Sequence, residues 1–230
     1  MKLTLSFALA ASLFITSCGV NKDVYKSSDF GEKATAHKTV AILPLKITQT
    51  GYVGKKETEE GIRAANEKWG YTFQESLLTY ALKQTGKHRK SPVTSFQSIQ
   101  KTNALLKDAG LDIEAMYAKQ PEELAHLLGV DAVIMTTLEK DKNVSDGVAY
   151  GVAGARVILG AIGKPATSAA RSSMSMNASD INMNCYLYNG TDSKLLWKTF
   201  RKGGADLPHE VNGIVEYYSN WIAKKLPYRS

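Results

Sequence analysis

The sequence is short of the residues on which many enzymes and small scaffolds depend. It has two cysteines, four histidines and six prolines in 230 residues. Two cysteines exclude a disulfide-framed domain and a zinc site built from paired cysteines. His37, His88, His126 and His209 share no metal-ligand spacing, so each reads as an ordinary core or surface histidine. No Gly-x-Ser-x-Gly, His-Glu-x-x-His or phosphate loop occurs. Gly151-x-x-Gly154 and Gly160-x-x-Gly163 lack the Lys-Ser/Thr that a phosphate cradle needs. Glu57, Glu59 and Glu60 read as the acidic first turn of a helix, not as a catalytic pair. The expectation is a protein with no catalytic residue, no metal and no cofactor.

What is present describes a globular chain. Hydrophobic residues make up 43% and charged residues 22%, close to the average for packed domains. The length suits one large domain or two small ones. The net charge is +7, spread over Lys55-Lys56, Lys87 to Lys90, Lys198 to Lys202 and Lys224-Lys225. Nucleic acid would be the first partner to consider for such a balance. The N-terminus argues against it.

Lys2 followed by the apolar run Leu3 to Ile15 has the layout of an export signal, and the run is too short to span a bilayer, which takes about 20 residues. It ends in Ile15-Thr16-Ser17-Cys18-Gly19, which resembles the bacterial lipoprotein box. That resemblance implies lipidation of Cys18 and cleavage before it. Three acyl chains would anchor the protein stably, where one holds only marginally. After export, anionic lipid headgroups or acidic wall polymers suit the positive charge better than nucleic acid. The expected organisation is a signal peptide over 1–17, a lipidated flexible tether over 18–36, and one domain over 37–230 with a glycine-rich insert at 142–180.

Periodicity supplies the elements. Thr39 to Ile47 and Val130 to Leu138 are β-branched apolar runs, the pattern of strands buried on both faces. Pro44 cannot donate to a ladder, so it predicts a bulge or strand end. Ile62, Ala65, Trp69, Phe73, Leu77 and Ala81 make one helical stripe within Glu57 to Gln84. A short strand is expected at Ser91 to Thr94 and a helix at Ser95 to Asp108. Pro121-Glu122-Glu123 is a helix start, and Gly129 its stop. Asp180 to Tyr188 alternates Ile181, Met183, Cys185 and Leu187 with polar residues and tyrosines, as a half-exposed strand does. Cys185 then reads as a small buried residue. Asn189-Gly190 signals a hairpin returning along Leu195 to Phe200. Val211, Ile214, Val215, Tyr218 and Ile222 stripe a last helix. The order predicts an α/β fold: one three-layer domain, a mixed sheet with a C-terminal hairpin and helices packed on it.

Three segments carry a family resemblance. Val40-Ala41-Ile42-Leu43-Pro44-Leu45 resembles the opening strand of TolB N-terminal-like domains and of curli-secretion-channel (CsgG-like) lipoproteins. Leu127 to Ile134 resembles their helix-to-strand junction, and Leu187 to Trp197 their hairpin. Gly110-Leu111 and Pro121 to Leu124 are similar to small lipoproteins of the same group. The resemblance implies a non-enzymatic assembly, scaffold or adaptor role at the periplasmic face of the outer membrane. Its partners would be other envelope proteins or further copies of the chain. The alternative it implies is a subunit of an oligomeric export channel, although Phe200 to Leu207 leaves no room for that family's second membrane segment. An envelope enzyme is the third reading.

The insert is the candidate partner surface. Gly147, Gly151 and Ala155 are spaced by four, and with Gly154 they would form a small-residue face on a helix, beside the charged Arg156. The segment could pack on its own domain, form a subunit contact, or supply a membrane hairpin.

Overall fold

Two apolar runs make the centre of the sheet. The computed structural model describes residues 23–51, 58–85, 95–142, 179–203 and 211–228. Strand β2 (Thr39–Ile42) lies parallel to β5 (Ala132–Lys142), with Ala41 opposite Val133. β5 runs antiparallel to β6 (Ser179–Asn189), and β6 to β7 (Leu195–Gly203). The short strands β1 (Val24–Lys26) and β4 (Ser95–Phe96) close the two edges, giving the order β1-β7-β6-β5-β2-β4.

Pro44 acts as its chemistry predicts. β2 stops at Ile42, and the chain resumes as β3 (Lys46–Gly51), which pairs with the second half of β5 from Thr137 onward. The break leaves the backbone of Thr136 without a strand partner on that side. The hydroxyl of Tyr117 fills the gap: it accepts from the Thr136 N–H at 2.9 Å, and its one proton faces the Thr136 carbonyl at 2.5 Å and the Pro44 carbonyl at 3.0 Å. Burial pushes the Tyr117 phenol well above its ordinary pKa, so it stays a neutral donor and acceptor.

Helices cover both faces. On one side α1 (Phe30–Ala36), α2 (Glu59–Thr85) and α6 (Val211–Ala223) bring Phe30, Phe73, Leu77, Tyr218 and Ile222 onto Ile134, Met183, Leu187 and Trp197. On the other, α3 (Ile99–Asp108), α4 (Ile113–Tyr117) and α5 (Pro121–Leu128) pack Leu106, Met116, Leu124 and Leu128 on Leu43, Val133 and Met135. The expected α/β class, mixed sheet and single domain are therefore observed. Within α2 only the second half is buried, so the stripe members Ile62 and Ala65 stand outside the core. Gly70 marks the change: a Cβ there would lie 2.5 Å from the Leu45 carbonyl oxygen, and the Leu45 N–H donates to the Gly70 carbonyl at 3.1 Å.

Several expectations are corrected. The tether expected over 18–36 already carries β1 and α1 within it, with Phe30 and Ala34 buried, because pairing with β7 and burial of two apolar residues outweigh a polar composition. The described fold thus starts at Val24, ahead of 37. Ser95–Phe96 is a strand, paired parallel with β2, and the helix expected from Ser95 starts at Ile99. Ser98 caps it, its hydroxyl accepting from the Lys101 N–H. The strand expected at 91–94 lies outside the described residues. α4 gave no periodic signal because it is five residues long, started by Asp112, whose carboxylate accepts from the Ala115 N–H at 2.7 Å.

The hairpin is present with a longer connection than Asn189-Gly190 predicts. It spans Gly190 to Lys194, and the left-handed residue is Ser193 (φ 54°). Glycine is needed at 190 for space instead: a Cβ there would sit 2.7 Å from that of Ala125.

Candidate functional site

The residues expected to carry function fall outside the described part of the chain. This holds for Cys18 and for Gly147, Gly151, Gly154, Ala155 and Arg156. Among the described residues no cluster of His, Cys, Asp or Glu could hold a metal ion, and no helix is long and apolar enough to cross a membrane.

The buried polar groups hold the fold together. His37 Nε2 and Asn189 Oδ1 are 2.9 Å apart, and His37 Nδ1 is 2.7 Å from the Tyr228 hydroxyl. The Asn189 amide donates to Thr191 Oγ1 and to Asp192 Oδ1, so its oxygen is the acceptor and His37 Nε2 the donor. The Tyr228 hydroxyl then donates to Nδ1. This chain ties α1, the hairpin and the C-terminal tail together. Lys33 and Asp192 pair across it, as do Lys194 and Asp29. Lys33 and the Asn189 amide hold the Asp192 carboxyl down to about 2. Cys185 is fully buried, donated to by the Thr136 hydroxyl, and burial pushes its thiol up to about 12. Such a thiol is inert, in keeping with its reading as a small core residue.

Two grooves stand out among the described residues. One of about 690 Å³ lies between β3, α4 and the exposed first turns of α2, with Lys46, Arg63 and Glu114 on its walls. Lys46 there pairs with Glu114 at 2.6 Å. The other, about 890 Å³, lies beside α5 and the hairpin turn. Its Asp131 carboxylate accepts from the Lys38 and Thr39 N–H groups at 2.8 Å each. Lys46, Glu114 and Asp131 are thus each engaged with another group of the fold.

The most distinctive surface is the β1–β7 edge. The Asp23 carbonyl accepts from the Phe200 N–H at 3.2 Å and from the Thr199 hydroxyl at 2.8 Å. The Asp23 carboxylate faces Lys225 at 3.7 Å. Lys225 lies 5.0 Å over the Trp221 ring, and the Arg201 guanidinium lies 5.5 Å from that ring and 5.0 Å from Tyr217. Tyr217 and Trp221 are one helical turn apart on α6 and so share a face. Tyr25 (49% exposed) and Phe200 (45%) are two of the three large hydrophobics exposed among the described residues. Lys202 and Lys224 are exposed beside them in sequence. The basic runs were legible as charge, but their placement beside Tyr25, Phe200 and Trp221 was not, because it depends on β1 pairing with β7.

No protein-family model matches the chain, and no curated protein matches it. Solved structures give low-level likenesses. Lipoprotein GNA1162 from Neisseria meningitidis is 14% identical, over 81% of this chain and 98% of that one, with a TM-score of 0.42. The LpoB C-terminal domain from Salmonella enterica is 11% identical, over 74% and 82%, with a TM-score of 0.32. The PelC dodecamer from Paraburkholderia phytofirmans is 8% identical, over 83% and 89%, with a TM-score of 0.37. The chain is thus similar, at low identity, to a bacterial lipoprotein among others, and likenesses this distant assign it neither a family nor a role.

Proposed function

We propose that this chain is a lipid-anchored envelope protein that works without catalysis, as an adaptor or scaffold component at the periplasmic face of the outer membrane. The observation that carries the proposal is the run Leu3 to Ile15 ending in Ile15-Thr16-Ser17-Cys18-Gly19, whose length and small residues suit lipidation at Cys18. The resemblance of the Val40 to Leu45 strand, the Leu127 to Ile134 junction and the Leu187 to Trp197 hairpin to TolB N-terminal-like and CsgG-like lipoproteins supports it. So does the structural use of His37, Asp131, Asp192 and Cys185, which leaves these groups unsuited to chemistry. The partners are other envelope proteins or further copies of the chain, and the stretch from Gly147 to Arg156 is the segment proposed to meet them. Mass spectrometry of the protein extracted from membranes tests the anchor. A diacylglyceryl-modified N-terminal Cys18 is expected, and Cys18→Ala should leave an uncleaved, unacylated chain. An unmodified Cys18 in the native protein would overturn the proposal.

A further inference from the structure

The lipid anchor of the proposed function, on which this inference rests, would leave very little slack. From Cys18 to Asp23 the chain advances five residues (23 − 18), which span at most roughly 18 Å when fully extended. At Asp23 the chain is already fastened, through its carbonyl to Phe200 and Thr199 and through its carboxylate to Lys225. A domain of this size has a radius of gyration of roughly 16 Å and a diameter about twice as large or more. The tether is therefore shorter than the domain is wide, and the surface around Asp23 has to lie at the bilayer.

That surface has the chemistry of a bilayer contact. Tyr25 and Phe200 are exposed rings on one face of the β1–β7 pair, and Tyr217 and Trp221 are half-buried on α6, which covers the other face, so the edge carries rings on both flanks. Tyrosine and tryptophan rings are amphipathic and settle at headgroup depth, and the phenylalanine ring adds apolar contact. Arg201 and Lys225 lie over the Tyr217 and Trp221 rings, Lys202 is exposed two residues along from Phe200 on the other face, Lys224 is exposed next to Lys225 in sequence, and Asp23 pairs with Lys225. Glu216 is exposed on α6, one residue before Tyr217 and so turned about 100° from it. Lysine and arginine stems also add apolar cover while their heads reach phosphate. We propose that the β1–β7–α6 edge docks on an anionic phospholipid surface and fixes the orientation of the domain on its membrane.

Vesicle flotation tests this with the chain from residue 18 onward carrying Cys18→Ser, which retains every described element and no lipid. It should float with vesicles containing phosphatidylglycerol, lose binding as salt rises, and stay in solution with phosphatidylcholine alone. A basic side chain near an anionic surface is worth about fivefold in binding. Lys202→Glu with Lys224→Glu should therefore cost about 25-fold or more, and Phe200→Ser should weaken binding at unchanged charge. Both variants should keep the parent's melting temperature. Binding to neither vesicle type, or equally to both, overturns the docking. So does equal binding to soluble polyglutamate that Phe200→Ser leaves unchanged, which would indicate a general polyanion surface. Acylation at Cys18 is read separately on the native protein, so a failed anchor and a failed docking surface give different results.

Discussion

The centre of the sheet and its β1–β7 edge are built by different physics. In the centre, β2 and the first half of β5, Ala132 to Met135, are apolar on both faces and helices cover both, so Val40, Ala41, Leu43, Val133 and Ile134 are almost fully buried. At the edge, one strand of three residues pairs with β7, and ion pairs, cation–aromatic contacts and backbone bonds around Asp23 hold the chain in place. A short edge strand also limits unwanted pairing with other sheets. The centre buys stability, whereas the edge supplies exposed chemistry at the point where the chain enters the fold. The two parts should therefore respond differently to mutation, pH and membranes.

Breaking the centre should have the largest effect. Phe73 is buried between α2 and the sheet, so Phe73→Ala should cost about 3–5 kcal/mol, read as a lower urea midpoint at unchanged slope. A loss below about 1 kcal/mol would show that the α2 face is loosely packed. Tyr117→Phe is a finer test of the same region. It removes the hydroxyl that bridges the Pro44 break and leaves the Thr136 N–H unpaired, which should cost about 1–3 kcal/mol with little change in volume.

Lys33→Ala probes a charged contact outside the apolar centre, between α1 and the hairpin turn. Lys33 and Asp192 are both partly exposed, so the loss of stability should be small and should shrink in salt. The pH dependence has a definite sign. The Asp192 carboxyl is held at about 2 in the fold, against an ordinary 3.8, so its contribution is complete above the ordinary value. It is lost as pH falls from there through about 2. Acid unfolding of Lys33→Ala should lose that part of the slope, and an unchanged profile would remove the pair from the account.

How much was legible follows the same division. The centre could be read because a buried strand needs apolar residues at every position and a covering helix needs a stripe. Thr39 to Ile47, Val130 to Leu138 and the Phe73–Leu77–Ala81 half of α2 meet those demands in any surroundings. Pro44 was legible as a break because its missing donor is a local fact. What covers the break was not, since Tyr117 comes from a five-residue helix with no period of its own. The edge was misread for a related reason. Residues 23–36 are polar enough to look like a tether, and only β7, far along the chain, shows that Val24 to Lys26 is a strand and that Phe30 has a place to bury. Gly190 was legible as a turn residue, but its tight contact with Ala125 requires a helix folded against the hairpin. The candidate surface around Asp23 inherits that limit, because its residues come from the start of the fold, the last strand and the last helix.

Amide hydrogen exchange of the native lipidated protein, compared between phosphatidylglycerol-containing vesicles and neutral detergent, reads which face of the domain meets the membrane. Slowing on the vesicles should be confined to residues 23–26, 198–203 and 217–225, with α3 to α5 unchanged. Slowing centred on α3 to α5 instead, or no difference between vesicle and detergent, would contradict the docking.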